Sequence, residues 1–322
     1  MRVNKEMLLS CYNLKDSIKT YNGYKVCPPE ETINTIKSAF SRIGLDVSYI
    51  PSNQTILRNF YPFQTGIAKL SPKNNRRMIL LETHGKGVTS PLSKASSFAE
   101  LIERFTGYGL AGGAIKHYLA EMKLSQIWEE KRKRNRQLET QFPYHPIENI
   151  DYIPEFYKKK YHSMAKSICY SLSRKELFCF PEEFIIKMNG SNGLASGNTL
   201  EEAILHAIFE LIERLGLMFV LDNLPNCNKI SKTSITNPTL KELIKTMKEL
   251  NVSFELLDYS YIFNIPLIVT IFDHPQWTFS PNPYALASLG FPKMIVGVDT
   301  DPQEAAVRCF TEFIQAIGVK KK

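Results

Sequence analysis

Phe98-Ala99-Glu100-Leu101-Ile102-Glu103-Arg104 and Ile208-Phe209-Glu210-Leu211-Ile212-Glu213-Arg214 carry the same reading, Glu-Leu-Ile-Glu-Arg, twice in one chain. Glutamates three residues apart share one face of an α-helix. Each copy follows a glycine-rich stretch: Thr83-His84-Gly85-Lys86-Gly87 before the first, Asn189-Gly190-Ser191-Asn192-Gly193-Leu194-Ala195-Ser196-Gly197-Asn198 before the second. Each also has a helix start. Ser90 precedes Pro91 as an N-cap, and Thr199-Leu200-Glu201-Glu202 reads as a capping box. Two such helices side by side gather four carboxylates, whose repulsion is relieved by cations. Hard oxygen ligands select magnesium, manganese or calcium. Arg104 and Arg214 stand beside the acids, and a guanidinium meets phosphate oxygens in bidentate fashion. A single copy would read as a solvated helix face, because Glu and Arg are good helix formers. Two copies, each behind a glycine-rich stretch, favour a site.

Outward from the repeat, strands and helices alternate irregularly. Pro28-Pro29-Glu30-Glu31 opens, and Gly44 closes, an amphipathic helix over 28–44, with Ile33, Ile36, Phe40 and Ile43 at helical spacing. Met78 to Leu81 reads as a short buried strand leading into a turn at 83–87. The first acidic helix is expected to run from Ser90 to about Tyr108, and the second to end near Asn223. Residues 113–190 read as surface helices, loops and two strands. Another helix is expected over 239–251, with strands at Ser253–Leu257, Pro266–Phe272 and Met294–Val298. Thr300-Asp301-Pro302-Gln303 caps a last helix, on which Glu312 and Gln315 again stand three apart. The class is therefore α/β, mixed α+β in its order. The chain, 1–322, reads as a single domain, with 1–60 and 61–322 as its only candidate subdomains.

The 322 residues carry a net charge of +8, with 43% hydrophobic and 22% charged residues. The charge suits a nucleotide, nucleic acid or an acidic peptide. Two basic clusters, Lys131-Arg132-Lys133-Arg134 and Lys158-Lys159-Lys160, lack the interleaved aromatics of a single-strand stacking platform, so nucleic acid is not the expected partner. Six scattered cysteines form no CxxC pair, which argues against a zinc knuckle or a disulfide framework. A reducing, cytoplasmic setting follows. No membrane association is expected, since no apolar run reaches the length of a span. No GxxxxGK[ST] segment is present.

Together these motifs resemble the YcaO family, from about residue 23 to residue 318. Lys25-Val26-Cys27-Pro28-Pro29-Glu30-Glu31-Thr32 falls where that family places a basic and a hydroxyl residue near phosphate. Gly85-Lys86-Gly87 and Ser96-x3-Glu100-x2-Glu103-Arg104 resemble its first acidic helix. Ser191 to Thr199 resembles its nucleotide loop. Glu202, Glu210, Glu213 and Arg214 resemble its second helix, and Glu312 with Gln315 its third. Ala195 departs from the serine some members carry.

The resemblance implies a YcaO-like fold with mixed sheets, in which glutamate-rich helices form the nucleotide site. It implies ATP and Mg2+ as cofactors and phosphorylation of a peptide backbone amide oxygen, followed by attack of a nucleophile. It implies Lys25, Thr32, Arg104, Asn198 and Arg214 as nucleotide-binding residues, and Glu100, Glu103, Glu210, Glu213, Glu312 and Gln315 as Mg2+ holders. It implies no particular catalytic residue. The substrate would be a peptide or protein, with a TfuA-like or leader-binding partner protein, and a homodimer is the default assembly. The chain stops at Lys320-Lys321-Lys322, soon after the third helix. That leans toward a thioamide-forming, partner-dependent member rather than an azoline-forming cyclodehydratase. The competing readings are a kinase-like or ATP-grasp transferase using the same metal logic, a non-catalytic nucleotide-binding accessory factor, and a nucleic-acid binder. His84, His206, Cys27 and Cys309 read as structural.

Overall fold

A computed structural model describes residues 25–51, 64–109, 166–181, 190–222, 227–274 and 293–318. The chain divides into two compact units, one of Met1–Ser17 with Arg104–Leu194, the other of Ile18–Glu103 with Ala195–Lys322. The basic clusters at 131–134 and 158–160, and the junction at 60/61, lie outside the described residues. Among the described residues, no helix is long and apolar enough to cross a membrane.

The larger unit contains two sheets. The first is β1 (Leu45–Pro51), β2 (Gln64–Pro72) and β3 (Leu81–Gly87), paired antiparallel in that order. Helix α1 (Pro29–Arg42) packs on β1 through Ile33, Ile36 and Phe40, the stripe that the sequence spacing predicts. Helix α2 (Ser90–Arg104) lies against the sheet. Tyr49 of β1 meets Phe98 edge to face and places its hydroxyl 3.0 Å from the Ser93 hydroxyl.

Met78 to Leu81 is not the strand that hydrophobicity predicts. Met78 and Ile79 are exposed, and the strand is Leu81–Gly87. The stretch expected as a turn is thus strand, and its glycines serve another purpose. A Cβ at Gly85 would lie 2.1 Å from the Ser93 carbonyl oxygen of α2. Glycine here permits close approach of helix to strand. The contact is sealed by hydrogen bonds: Thr83 Oγ1 donates to the Ser97 carbonyl at 2.7 Å, and Ser93 Oγ to the Gly85 carbonyl at 3.3 Å. The helix ends earlier than expected, at Arg104, where a π-helical turn, Phe105–Gly109, follows.

The smaller unit holds that turn and the hairpin β4 (Lys166–Ser171) with β5 (Glu176–Pro181). These are two strands inside the span where two were expected. Leu177 and Cys179 form its buried face.

The second sheet of the larger unit runs β6 (Asn228–Lys229), β7 (Ser253–Asp258), β8 (Leu267–Asp273) and β9 (Lys293–Val298), again antiparallel. Strand β8, Leu-Ile-Val-Thr-Ile-Phe-Asp, shows no polar alternation because both faces are covered. On one side Ile268 and Phe272 pack with α4 (Pro238–Glu249) and α5 (Pro302–Gly318), where Phe272 stacks on Phe313 at 4.1 Å. On the other side Leu267 and Val269 pack with Phe209 and Val220 of α3 (Leu200–Asp222). Helix α5 also reaches β3. The acidic segments of α3 and α5 are thereby carried on one sheet, and β3 is brought to them.

Candidate nucleotide and metal site

The end of the second glycine-rich stretch, at Asn198, folds onto the start of α3. Thr199 accepts the Glu202 amide on Oγ1 at 3.2 Å, one half of the capping box. The other half is diverted. Glu202 does not reach back to the amide of Thr199. Its buried carboxylate takes Asn198 Nδ2 at 3.3 and 3.1 Å, the Asn198 amide at 3.4 Å, and Lys25 Nζ at 2.8 Å. Asn198 Oδ1 in turn accepts from Thr32 Oγ1 at 2.8 Å. Thr32 sits at the start of α1 and lies 3.6 Å from Cys27 Sγ. Lys25, Thr32 and Asn198, named separately from sequence, are one network centred on Glu202.

A second group forms around Lys86 of β3. Lys86 pairs with Glu312 of α5. Glu100 of α2 and Glu213 of α3 also bear on it electrostatically, as does Arg308 of α5 with the opposite effect. Burial, with Arg308 second, pulls the Lys86 pKa down to about 8, although 29% of its side chain stays open to solvent. The amine is therefore crowded by protein yet reachable from outside.

Glu213 is held firmly. Arg308 donates to its Oε1 through Nε at 3.0 Å and Nη2 at 2.9 Å, and the Val298 amide donates to the same oxygen at 3.2 Å. Arg214 Nη2 lies 3.7 Å from Glu210 Oε1, one turn away on the same helix. Gln315 lies half-buried on α5, one turn beyond Glu312. Glu103 is half-buried near the end of α2, and Arg104, the last residue of that helix, belongs to the smaller unit.

His206 lies on α3 between Glu202 and Glu210. Its ring donates toward the Ser196 backbone, and its buried Nδ1 has no hydrogen-bond partner among the described residues. Burial, then Arg308 and Lys25, lower its pKa to about 4, so the ring is neutral near pH 7. Cys309 is fully buried, with its thiol directed at the Ile268 and Ile295 carbonyls and pushed up to about 12 by burial. It behaves as a core residue, as expected for it.

Arg308 was not singled out from sequence, and Lys86 carried no role there. Both had a signal: Arg308 precedes Glu312 by four residues on the face α5 turns to the site, and Lys86 is a lone cation between two glycines ahead of the first acidic helix.

The donor chemistry fits a divalent cation. Glu312 pairs with Lys86, and Glu100 and Glu213 act on it electrostatically, so hard oxygen donors from three helices lie near one ammonium. No three acidic, histidine or cysteine side chains among the described residues close around a metal by themselves. Mg2+ typically takes only one or two carboxylates and completes its shell with water and phosphate.

A family model for the YcaO cyclodehydratases, described as ATP- and Mg2+-binding, matches residues 84–321. The chain belongs to the YcaO family. The match takes in both acidic helices and α5, and it begins after Lys25 and Thr32, whose place in the site rests on their contacts with Asn198 and Glu202. An uncharacterized protein of Methanothermobacter thermautotrophicus is 30% identical over 129 residues, covering 40% of this chain and 31% of that protein.

Three solved structures share the YcaO fold. The YcaO protein of Methanopyrus kandleri, bound with AMPPCP and Mg2+, superposes with a TM-score of 0.57 at 15% identity over 93% of this chain and 70% of its own. A heterocyclase in complex with substrate and cofactor gives 0.59 at 20% identity over 92% of this chain and 41% of its own. The E. coli microcin synthetase McbBCD complex gives 0.51 at 11% identity, over 85% and 64%. At these identities the likeness is one of fold. The chain spans about a third of its curated relative's length and under half of the heterocyclase's.

Proposed function

We propose that this YcaO protein uses ATP and Mg2+ to phosphorylate the oxygen of a peptide backbone amide. The observation that carries the reading is the pairing of Glu312 with Lys86 and of Glu213 with Arg308, whose α5 residues lie one turn apart, with Glu100 also bearing on Lys86 electrostatically, together with the Lys25–Glu202–Asn198–Thr32 network. Bound ATP with Mg2+ would supply the phosphoryl group that turns the amide oxygen into a leaving group. Positioning and charge neutralisation are what a phosphoryl-transfer site must provide.

Lys25, Arg104 and Arg214 are assigned to phosphate charge. Thr32 and Asn198 are assigned hydrogen bonds to phosphate or ribose. Glu100, Glu103, Glu210, Glu213, Glu312 and Gln315 are assigned to Mg2+, directly or through water. Asn198 and Thr32 now bond to each other, so a ligand would exchange one contact for another at little cost. Glu213, with an oxygen already filled by Arg308 and the Val298 amide, suits an oriented outer role.

The product we propose is a thioamide, with sulfur brought by a partner protein of TfuA type in the cytoplasm. Cys309 is too buried, and its thiol too weakly acidic, to deliver the sulfur itself. A leader-binding partner and attack by a Cys, Ser or Thr of the peptide would instead give an azoline from the same activated amide. The test is ADP release with candidate peptide and partner supplied, followed by mass analysis of the peptide. Peptide-dependent ADP release, lost in a folded Glu210→Ala variant, is the expected result. A gain in mass from sulfur replacing oxygen identifies the thioamide, and a loss of water the azoline. Turnover unchanged in Glu210→Ala would sink the assignment.

A further inference from the structure

Each described carboxylate of the site for which a close partner is resolved already has a cation of this chain: Lys25 on Glu202, Arg308 on Glu213, Lys86 on Glu312, Arg214 on Glu210. Three of these pairs join different segments of the chain and so help to hold the site together. Lys86 differs from the rest. Its amine pairs with Glu312 of α5, its amide meets Ser96 of α2 one turn before Glu100, Arg308 one turn before Glu312 holds Glu213 of α3, and the amine remains solvent-reachable. Arg308 sits on the same group and adds a second positive charge.

We propose that Lys86 is the internal counter-ion of the acidic cluster, occupying the place a divalent ion would take and so excluding free metal until nucleotide phosphate arrives with it. This rests on the ATP reading above and deepens it. A bare divalent cation entering among Glu100, Glu213 and Glu312 would displace Lys86 from Glu312 and lie against two cations, Lys86 and Arg308. Like charges brought together repel, the more so where protein rather than water lies between them. A metal that arrives with nucleotide brings phosphate oxygens carrying enough negative charge for both the metal and the released ammonium. Lys86 is thus a positioning residue that fixes the order of assembly. Without it, the cluster carries one more uncompensated negative charge and should capture free metal.

The experiment uses the full chain and Mn2+ as a paramagnetic stand-in for Mg2+, followed by the spin-resonance signal of free Mn2+, with and without AMPPCP. In the wild type, AMPPCP should strengthen Mn2+ binding at least tenfold. Lys86→Met should strengthen Mn2+ binding without AMPPCP at least tenfold over the wild type, and Lys86→Arg should restore wild-type behaviour. If Lys86→Met does not fold, Lys86→Gln takes its place in the same comparison. The proposal is overturned if Mn2+ affinity without nucleotide is the same in the wild type and the uncharged variant, or if AMPPCP binds the wild type without improving its Mn2+ affinity. Failure of AMPPCP to bind at any Mn2+ concentration instead removes the ATP reading and the ordered-assembly half of the proposal with it. The metal-only comparison still decides the counter-ion half.

Discussion

The two Glu-Leu-Ile-Glu-Arg helices have the same charges and opposite packing. In α2 the motif leucine, Leu101, is fully buried, together with Phe98. In α3 the equivalent leucine, Leu211, is 42% exposed, Ile208 is exposed too, and beyond the buried Glu202 of the first turn the buried positions are Phe209, Gly216 and Val220. The core face has moved around the helix while the spacing of the acids has not. One turn before the acids the helices differ again. α2 carries Ser96, which accepts the Lys86 amide at 3.4 Å, and α3 carries His206. A repeat kept for packing would share its apolar face. This one shares its carboxylates, as the proposed nucleotide site requires.

The widest gap should appear when the leucines are truncated. Leu101→Ala removes a fully buried side chain and should cost about 2–5 kcal/mol in chemical denaturation. Leu211→Ala should cost under about 1 kcal/mol. Equal losses would erase the contrast between the helices.

Arg308→Met comes next. It leaves Glu213 with the Val298 amide and without its guanidinium. The pair is part exposed, so the loss should be about 1–3 kcal/mol, below that of a fully buried pair.

His206 affects stability only in acid, by at most about 3 kcal/mol. Its folded pKa, about 4, lies below the ordinary 6.5. The unfolded chain therefore takes up the proton first. This group's contribution is present above pH 6.5 and is lost as pH falls toward 4. His206→Gln should flatten that part of the stability curve, and an unchanged acid limb would show that the ring is not desolvated. Ser96, at the matching place in α2, has no titration to contribute.

Much of this comparison was visible in the sequence. Local signals placed α1, α4, β7, β8, β9 and the start of α3 within a residue or two, because Pro, Asn and Thr caps bracket clear periodicity. Strands β1 and β2 were not found. Leu-Asp-Val-Ser-Tyr-Ile-Pro and Gln-Thr-Gly-Ile-Ala-Lys-Leu-Ser-Pro hold too few consecutive apolar residues, and their pairing with β3 is what stabilises them. β3 was displaced because Gly85 looks like a turn residue until the helix pressed on it is seen. The site was legible as a set of acids with basic partners nearby. Which cation answers which acid was not, since Lys25 and Glu202 are 177 residues apart and Glu213 and Arg308 are 95 apart. That matching is decided by tertiary packing of the sheet under α3 and α5.

In the proposed function both acidic helices serve one nucleotide site despite their different packing. Calorimetric titration of AMPPCP with Mg2+ into the wild type, Glu100→Ala and Glu210→Ala tests it most directly. The wild type should bind saturably and each variant should lose at least tenfold in affinity, with unfolding midpoints close to the wild type's. Wild-type affinity in both folded variants, or loss in only one of them, would contradict it.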